Sequence, residues 1–89
     1  MLRRKLFRNL FGKTLRQKRY EGSKKKLTLS EFVSKTDLDD SYIGKIERGE
    51  KLPDALTLYK IFVGRGISID QLFNDMKPQF EMLVKLEKR

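Results

Sequence analysis

The chain has 89 residues and a mass of 10.6 kDa, which suits one small core. At 38% hydrophobic and 37% charged it is polar, yet six Phe, three Tyr and many Leu and Ile supply enough apolar side chain to fold. Having neither Cys nor His, it has no disulfide, thiolate zinc site, thiol nucleophile or imidazole base, and its apolar runs, such as Ile61-Phe62-Val63, fall far short of the roughly 18 residues of a membrane span. These features point to an intracellular, cytoplasmic protein that works without a metal or other cofactor. The formal net charge is +9, and residues 1–26 carry eleven Lys and Arg against one Glu, whereas the rest of the chain carries ten cations against eleven acids. A block of this kind attracts a polyanion, either nucleic acid or an anionic membrane surface; its bland reading is a solvated helix face.

In chain order, Leu2, Leu6 and Leu10 repeat at i, i+4 with Phe7, Phe11 and Leu15 beside them, which predicts an amphipathic helix running to about Tyr20. Gly22, Ser23 and the triplet Lys24-Lys25-Lys26 break the period and predict a loop. Thr28-Leu29-Ser30-Glu31 is a capping box with Leu27 and Phe32 as its hydrophobic staple, opening a short helix to about Lys35. Asp39 is placed to cap a second short helix, about Asp40 to Glu47, with Leu38 and Ile43 as staple. Pro53 and Asp54 introduce a helix bearing Leu56, Tyr59, Ile61, Phe62 and Val63, stopped by Gly64 and Gly66. Ser68-Ile69-Asp70-Gln71 repeats the capping box, and Pro78 opens a final segment with Phe80, Leu83, Val84 and Leu86 on one side. Without convincing strand alternation, the expected fold is all-α with five or six helices.

The two short helices with their tight turn have the size of a helix-turn-helix. The run Leu27 to Val33, followed by Leu38-Asp39-Asp40-Ser41-Tyr42-Ile43-Gly44-Lys45-Ile46-Glu47-Arg48-Gly49, resembles the Cro and phage-repressor (XRE) helix-turn-helix family, most specifically in Ser41-Tyr42-Ile43 and Ile46-Glu47-Arg48-Gly49. Phe11-Gly12, Leu15-Arg16 and Arg19 resemble that family's first helix, and Pro53 to Phe73 its fourth and fifth. The Leu38 to Ile43 spacing is also similar to the controller proteins of restriction-modification systems. The resemblance implies a phage-repressor type of DNA-binding domain at 11–75, a basic extension at 1–10 continuous with the first helix, and a C-terminal helical segment at 76–89.

It further implies a sequence-specific, double-stranded DNA-binding transcriptional regulator. The second motif helix would lie in the major groove, with Asp40, Ser41, Tyr42 and Lys45 at base edges or the adjacent backbone. Phosphate contacts would come from Lys26, from the helix start at Thr28, and from Arg48 and Lys51, with the rest of the lysine triplet as an addition. Arg19 and Glu47 would form a structural pair. Leu29 stands where the family often has a phosphate-binding Gln and is expected to cover an apolar neighbour; Asp37 replaces the turn glycine and is expected to be left-handed. Gly44 would let backbone and nucleic acid approach closely. Phe80, Leu83 and Val84 would either fold back on the monomer or pair with a two-fold mate. Dimerisation is preferred, because a symmetric dimer on a pseudo-palindromic operator doubles the few base pairs one helix can read. Neither a membrane nor a small-molecule ligand is expected as partner.

Two competing readings remain: a membrane-surface segment at Met1 to Phe11, and a helical protein-interaction module, antitoxin-like or adaptor, on the same fold. An enzyme is disfavoured, because the sequence offers no metal-binding carboxylate spacing, nucleophile–base pair or Gly-rich phosphate loop.

Overall fold

Side-chain caps set where the short helices begin in the computed structural model, which describes residues 2–21 and 26–87. Five helices follow in order: α1 (Leu2–Glu21), α2 (Leu29–Val33), α3 (Asp40–Glu47), α4 (Ala55–Arg65) and α5 (Ile69–Glu87), and the described residues contain no strand. At the start of α2 the capping box closes in both directions: Glu31 N–H donates to Thr28 Oγ1 at 3.1 Å and Thr28 N–H to Glu31 Oε1 at 2.8 Å. Asp39 caps α3 by accepting from Tyr42 N–H at 3.2 Å, and Asp54 caps α4 by accepting from Thr57 N–H at 2.8 Å.

Three expectations need correction. α2 stops at Val33, two residues early, because the Thr36 hydroxyl donates to Val33 O at 2.9 Å and accepts from Leu38 N–H at 3.2 Å, holding a turn in place of another helical turn. Asp37 completes that turn at φ 58, the left-handed geometry expected of it. Gly64 does not stop α4; it lies inside the helix, and the stop is Gly66 alone, at φ 67 with its N–H on Phe62 O. Gly64 is needed for close approach: a Cβ there would run into the carbonyl oxygen of Lys35 and come within 2.9 Å of Thr36 Cα. Pro78 opens no new segment, for α5 runs through it. Proline forfeits one backbone hydrogen bond there, and packing on both sides of it keeps the helix going.

That packing is aromatic. The Phe7 ring lies 6.4 Å from Phe73 and 5.9 Å, edge-on, from Phe80, and Phe11 lies 6.3 Å from Phe73. Near the other end of the pair Lys18 bonds Asp75, so α1 and α5 run antiparallel. The core gathers Leu10, Phe11 and Leu15 of α1, Phe32 of α2, Ile43 and Ile46 of α3, Ile61 of α4, and Leu72 and Met76 of α5. The second Ser68 box forms on one side: Gln71 N–H donates to Ser68 Oγ at 3.2 Å, while the Gln71 side-chain amide donates onward to Asp75 at 2.9 Å.

Two exposed carboxylates report on these contacts. Asp75 is held below the ordinary 3.8 chiefly by the hydrogen bond from Lys18, then by that from Gln71. Asp54 is held below it by the Thr57 backbone N–H. A depressed folded value means a contribution to stability that is present above the ordinary carboxylate range and lost as pH falls through the folded value. Carboxyl NMR titration is expected to place both midpoints below 3.8. Lys18→Met should return Asp75 toward that value and leave Asp54 where it was; an Asp75 midpoint indifferent to Lys18 would contradict the pairing.

Candidate nucleic-acid interface

The starts of α2 and α3 lie side by side. Ser30 Oγ donates to Asp40 Oδ2 at 3.1 Å, joining the first turn of α2 to the first turn of α3. Ile43 and Ile46 are fully buried, which fixes the rotation of α3 about its axis. Ser41 is then exposed on the opposite side, with Tyr42 and Lys45 half-buried next to it at helical spacing. Lys45 takes no ion-pair partner among the described residues. Asp40, the other residue read from sequence as facing bases, is half-buried and already accepts the Ser30 hydroxyl.

Behind this face a buried ion cluster locks α1 to α3. Glu47 accepts from Arg19 through two guanidinium nitrogens, Nε and Nη2, both at 2.8 Å, with 7% of Arg19 and 5% of Glu47 exposed. This is the bidentate geometry in which arginine binds carboxylate best. Arg19 also donates to the Leu27 carbonyl, tying in the approach to α2. The bond to Glu47 holds the Arg19 guanidinium above its ordinary pKa. Sequence reasoning named these two residues and missed a third: Arg16, three positions before Arg19 on α1, donates to Glu47 Oε1 at 3.2 Å. Its i, i+3 spacing from Arg19 was the available signal.

The cations read from sequence as phosphate contacts lie on the segments before α2 and after α3. Lys26 is exposed, its ammonium 4.8 Å from the Tyr20 ring centroid, and the Arg19 guanidinium lies 4.8 Å from the same ring. Tyr20 was not singled out from sequence. Lys24 and Lys25 lie outside the described residues. Past α3, Gly49 sits at φ 77, where a Cβ would collide with Asn9 of α1, so the loop carrying Arg48 and Lys51 is held against α1. Lys51 is exposed, and Arg48 donates to Glu50 at 2.5 Å.

The opening expected beside Gly44 is filled by the chain itself. Gly44 is buried, and a Cβ there would lie 3.1 Å from Arg48 Nη1 and 3.5 Å from Leu29 Cδ1. Leu29 thus covers a neighbour, as anticipated, and the neighbour is Gly44. The C-terminal trio divides: Phe80 packs on Phe7 of its own chain, Leu83 lines a groove with Leu6, Leu10 and Lys13, and Val84 lines another with Arg3 and Lys85. Among the described residues no group of acidic side chains could hold a metal ion, and no helix is long and apolar enough to cross a membrane.

A capped helix pair with an exposed polar face on its second member, cations at both flanks and a locked first helix behind it defines a DNA-binding transcriptional regulator. The chain belongs to the helix-turn-helix family, whose family model matches residues 13–72. It is 35% identical over 69 residues to control protein C.MunI of a Mycoplasma species, an alignment covering 78% of this chain and 90% of that protein. No solved structure gives a significant match.

Proposed function

We propose that the protein binds a specific, pseudo-palindromic duplex operator as a homodimer, regulating transcription by occupancy alone in the cytoplasm. What supports this most is the outer side of α3: with Ile43 and Ile46 buried, Ser41 is exposed and Tyr42 and Lys45 are half-buried beside it at helical spacing, on a helix of the size a major groove admits. Lys45 donates to guanine O6 or N7, Ser41 pairs with several bases, and the second oxygen of Asp40 accepts from a cytosine amine. Lys26, the Thr28 hydroxyl, Arg48 and Lys51 meet phosphates on either side and set the register. The likeness to a control protein supports a regulatory role.

Selection from a random duplex library, followed by binding measurements at several salt concentrations, tests the proposal. Affinity for the selected site should fall linearly on a log–log plot against salt as counterions are released. Lys45→Ala is expected to relax preference at one position of each half-site by about 1–3 kcal/mol, whereas Lys26→Ala should weaken all sequences alike and lower the salt slope by about one. An unchanged preference in Lys45→Ala removes that residue from base readout. Failure to select any sequence favours the protein-interaction module.

A further inference from the structure

The first half of α1 carries charge that the fold leaves unanswered. Arg3, Arg4, Lys5 and Arg8 follow one another with no acid between them, and they precede residues 13–72, the segment that the family model matches. Lys5 is exposed, and neither it nor Arg8 forms an ion pair among the described residues. Arg8 is half-buried, with its Nε shielded from solvent and without an acceptor among the described residues. Its stem is thus packed while its charge stays uncompensated.

Position on the helix decides what these cations can meet. Asn9 touches the loop after α3, for a Cβ at Gly49 would lie 3.2 Å from Asn9 Cα, and Gly12 touches the end of α3 itself, where a Cβ would run into the Ile46 carbonyl oxygen. Lys5 stands one helical turn before Asn9, and Arg8 one turn before Gly12. Both therefore project from the side of α1 on which the loop bearing Lys51 is seated. Arg3 lies on another side, in the α1–α5 groove with Phe80, Glu81 and Val84. The acids of the loop are engaged within it: Glu50 accepts from Arg48, and Asp54 caps α4. With both counted, the four cations Lys5, Arg8, Arg48 and Lys51 still leave a net positive strip.

A strip of this charge suits a duplex backbone or an anionic membrane, and the apolar side of α1 separates the two. Lying in a membrane surface requires free hydrocarbon on the helix. Here Phe11 and Leu15 are fully buried, and Phe7 packs on Phe73 and Phe80. We propose that Lys5 and Arg8 are phosphate-binding residues that extend the grip of the Lys51 loop along the backbone of the bound duplex. The proposal rests on the duplex-binding reading above and deepens it. Phosphate contacts carry no base information, so this strip adds affinity and leaves sequence preference to α3.

Salt titration of binding to the selected duplex and to a scrambled duplex of equal length, with ethylation interference on the former, tests it on the full chain. The double substitution Lys5→Gln, Arg8→Gln should lower the salt slope by about two per bound chain. It should weaken both duplexes at least roughly tenfold near 0.1 M salt, by the same factor, with the selected sequence unchanged. Phosphates whose ethylation blocks the wild type should become indifferent in the variant. Arg3→Gln, equal in charge per residue but on another side of α1, should keep the wild-type slope. If the double variant loses helical circular dichroism, Lys5→Gln alone replaces it, with a slope change of about one. An unchanged slope, an equal change in Arg3→Gln, or an altered sequence preference overturns the proposal. So does flotation with vesicles of equal parts phosphatidylserine and phosphatidylcholine that depends on Lys5 and Arg8 while the DNA slope does not. Selection of a clear operator with a slope indifferent to both residues refutes this strip and leaves the operator reading standing. A protein that binds every duplex alike, with a slope that falls in the double variant, does the reverse.

Discussion

Replacing Glu47 with alanine is expected to destabilise the domain by about 3–5 kcal/mol, the range seen when one partner of a buried ion pair is removed. The Glu47 side chain is 1% exposed and that of Arg19 9%, so the carboxylate has exchanged its water for guanidinium N–H groups of Arg19 and Arg16. Truncation leaves the Arg19 charge buried, with the Leu27 carbonyl and the Tyr20 ring as its remaining company. Each kcal/mol lowers Tm by about 4–8 °C in a domain of this size, so the variant should melt at least about 12 °C below wild type. Arg16→Ala removes the partner whose side chain is 44% exposed and should change stability by less than about 1 kcal/mol. Arg19→Met combined with Glu47→Leu should be more stable than Glu47→Ala alone, because it deletes the stranded charge together with its partner. Urea unfolding of the three variants checks the set; a Glu47→Ala loss no larger than that of Arg16→Ala would show that Arg19 is rehydrated and that the cluster does not lock α1 to α3.

The features that could be read from sequence are those decided within a few residues. α3 runs from Asp40 to Glu47 as expected because its cap and its staple are local, and Asp37 adopts its left-handed geometry because the turn requires it. Gly64 and Pro78 were misread for a common reason. Both look like stops by propensity, and both are overridden by contacts distant in sequence: Gly64 by the backbone of Lys35 and Thr36, Pro78 by Phe73 and Phe80, which meet Phe7 from either side of it. At the site, the motif and the charge block were legible, and so was the pairing of Arg19 with Glu47 through the family resemblance. The seating of Arg48 and Leu29 over Gly44, and the bond from Ser30 to Asp40, depend on how α2 and α3 cross, which no periodicity encodes. α4 shows the same limit. With Leu58 and Ile61 apolar as well, the helix has hydrophobic residues around much of its circumference, and spacing alone cannot say which arc faces water.

Gly12→Ala is the second substitution with a large expected effect, a loss of about 1–3 kcal/mol from overpacking, although alanine raises intrinsic helix stability by up to about 1 kcal/mol. A Cβ at Gly12 would run into the Ile46 carbonyl oxygen and lie 2.6 Å from Glu47 O and 2.8 Å from Glu47 C. All of these are main-chain atoms at the end of α3, unable to swing aside as a side-chain terminus does. Relief must come from moving α3 away from α1, and that movement is resisted by Arg19 bound to Glu47 and by Phe11, Leu15, Ile43 and Ile46 in the core. Because the proposed base-reading residues ride on α3, the shift should also lower affinity for any selected duplex site beyond what partial unfolding accounts for. Gly44→Ala supplies the opposite sign within the same domain. Its new methyl would meet only the Arg48 head at 3.1 Å and Leu29 at 3.5 Å, and a half-exposed guanidinium can move, so this variant should gain up to about 1 kcal/mol. If urea unfolding gives both alanines the same sign, the close crossing of α1 over the end of α3 is not what requires glycine at position 12.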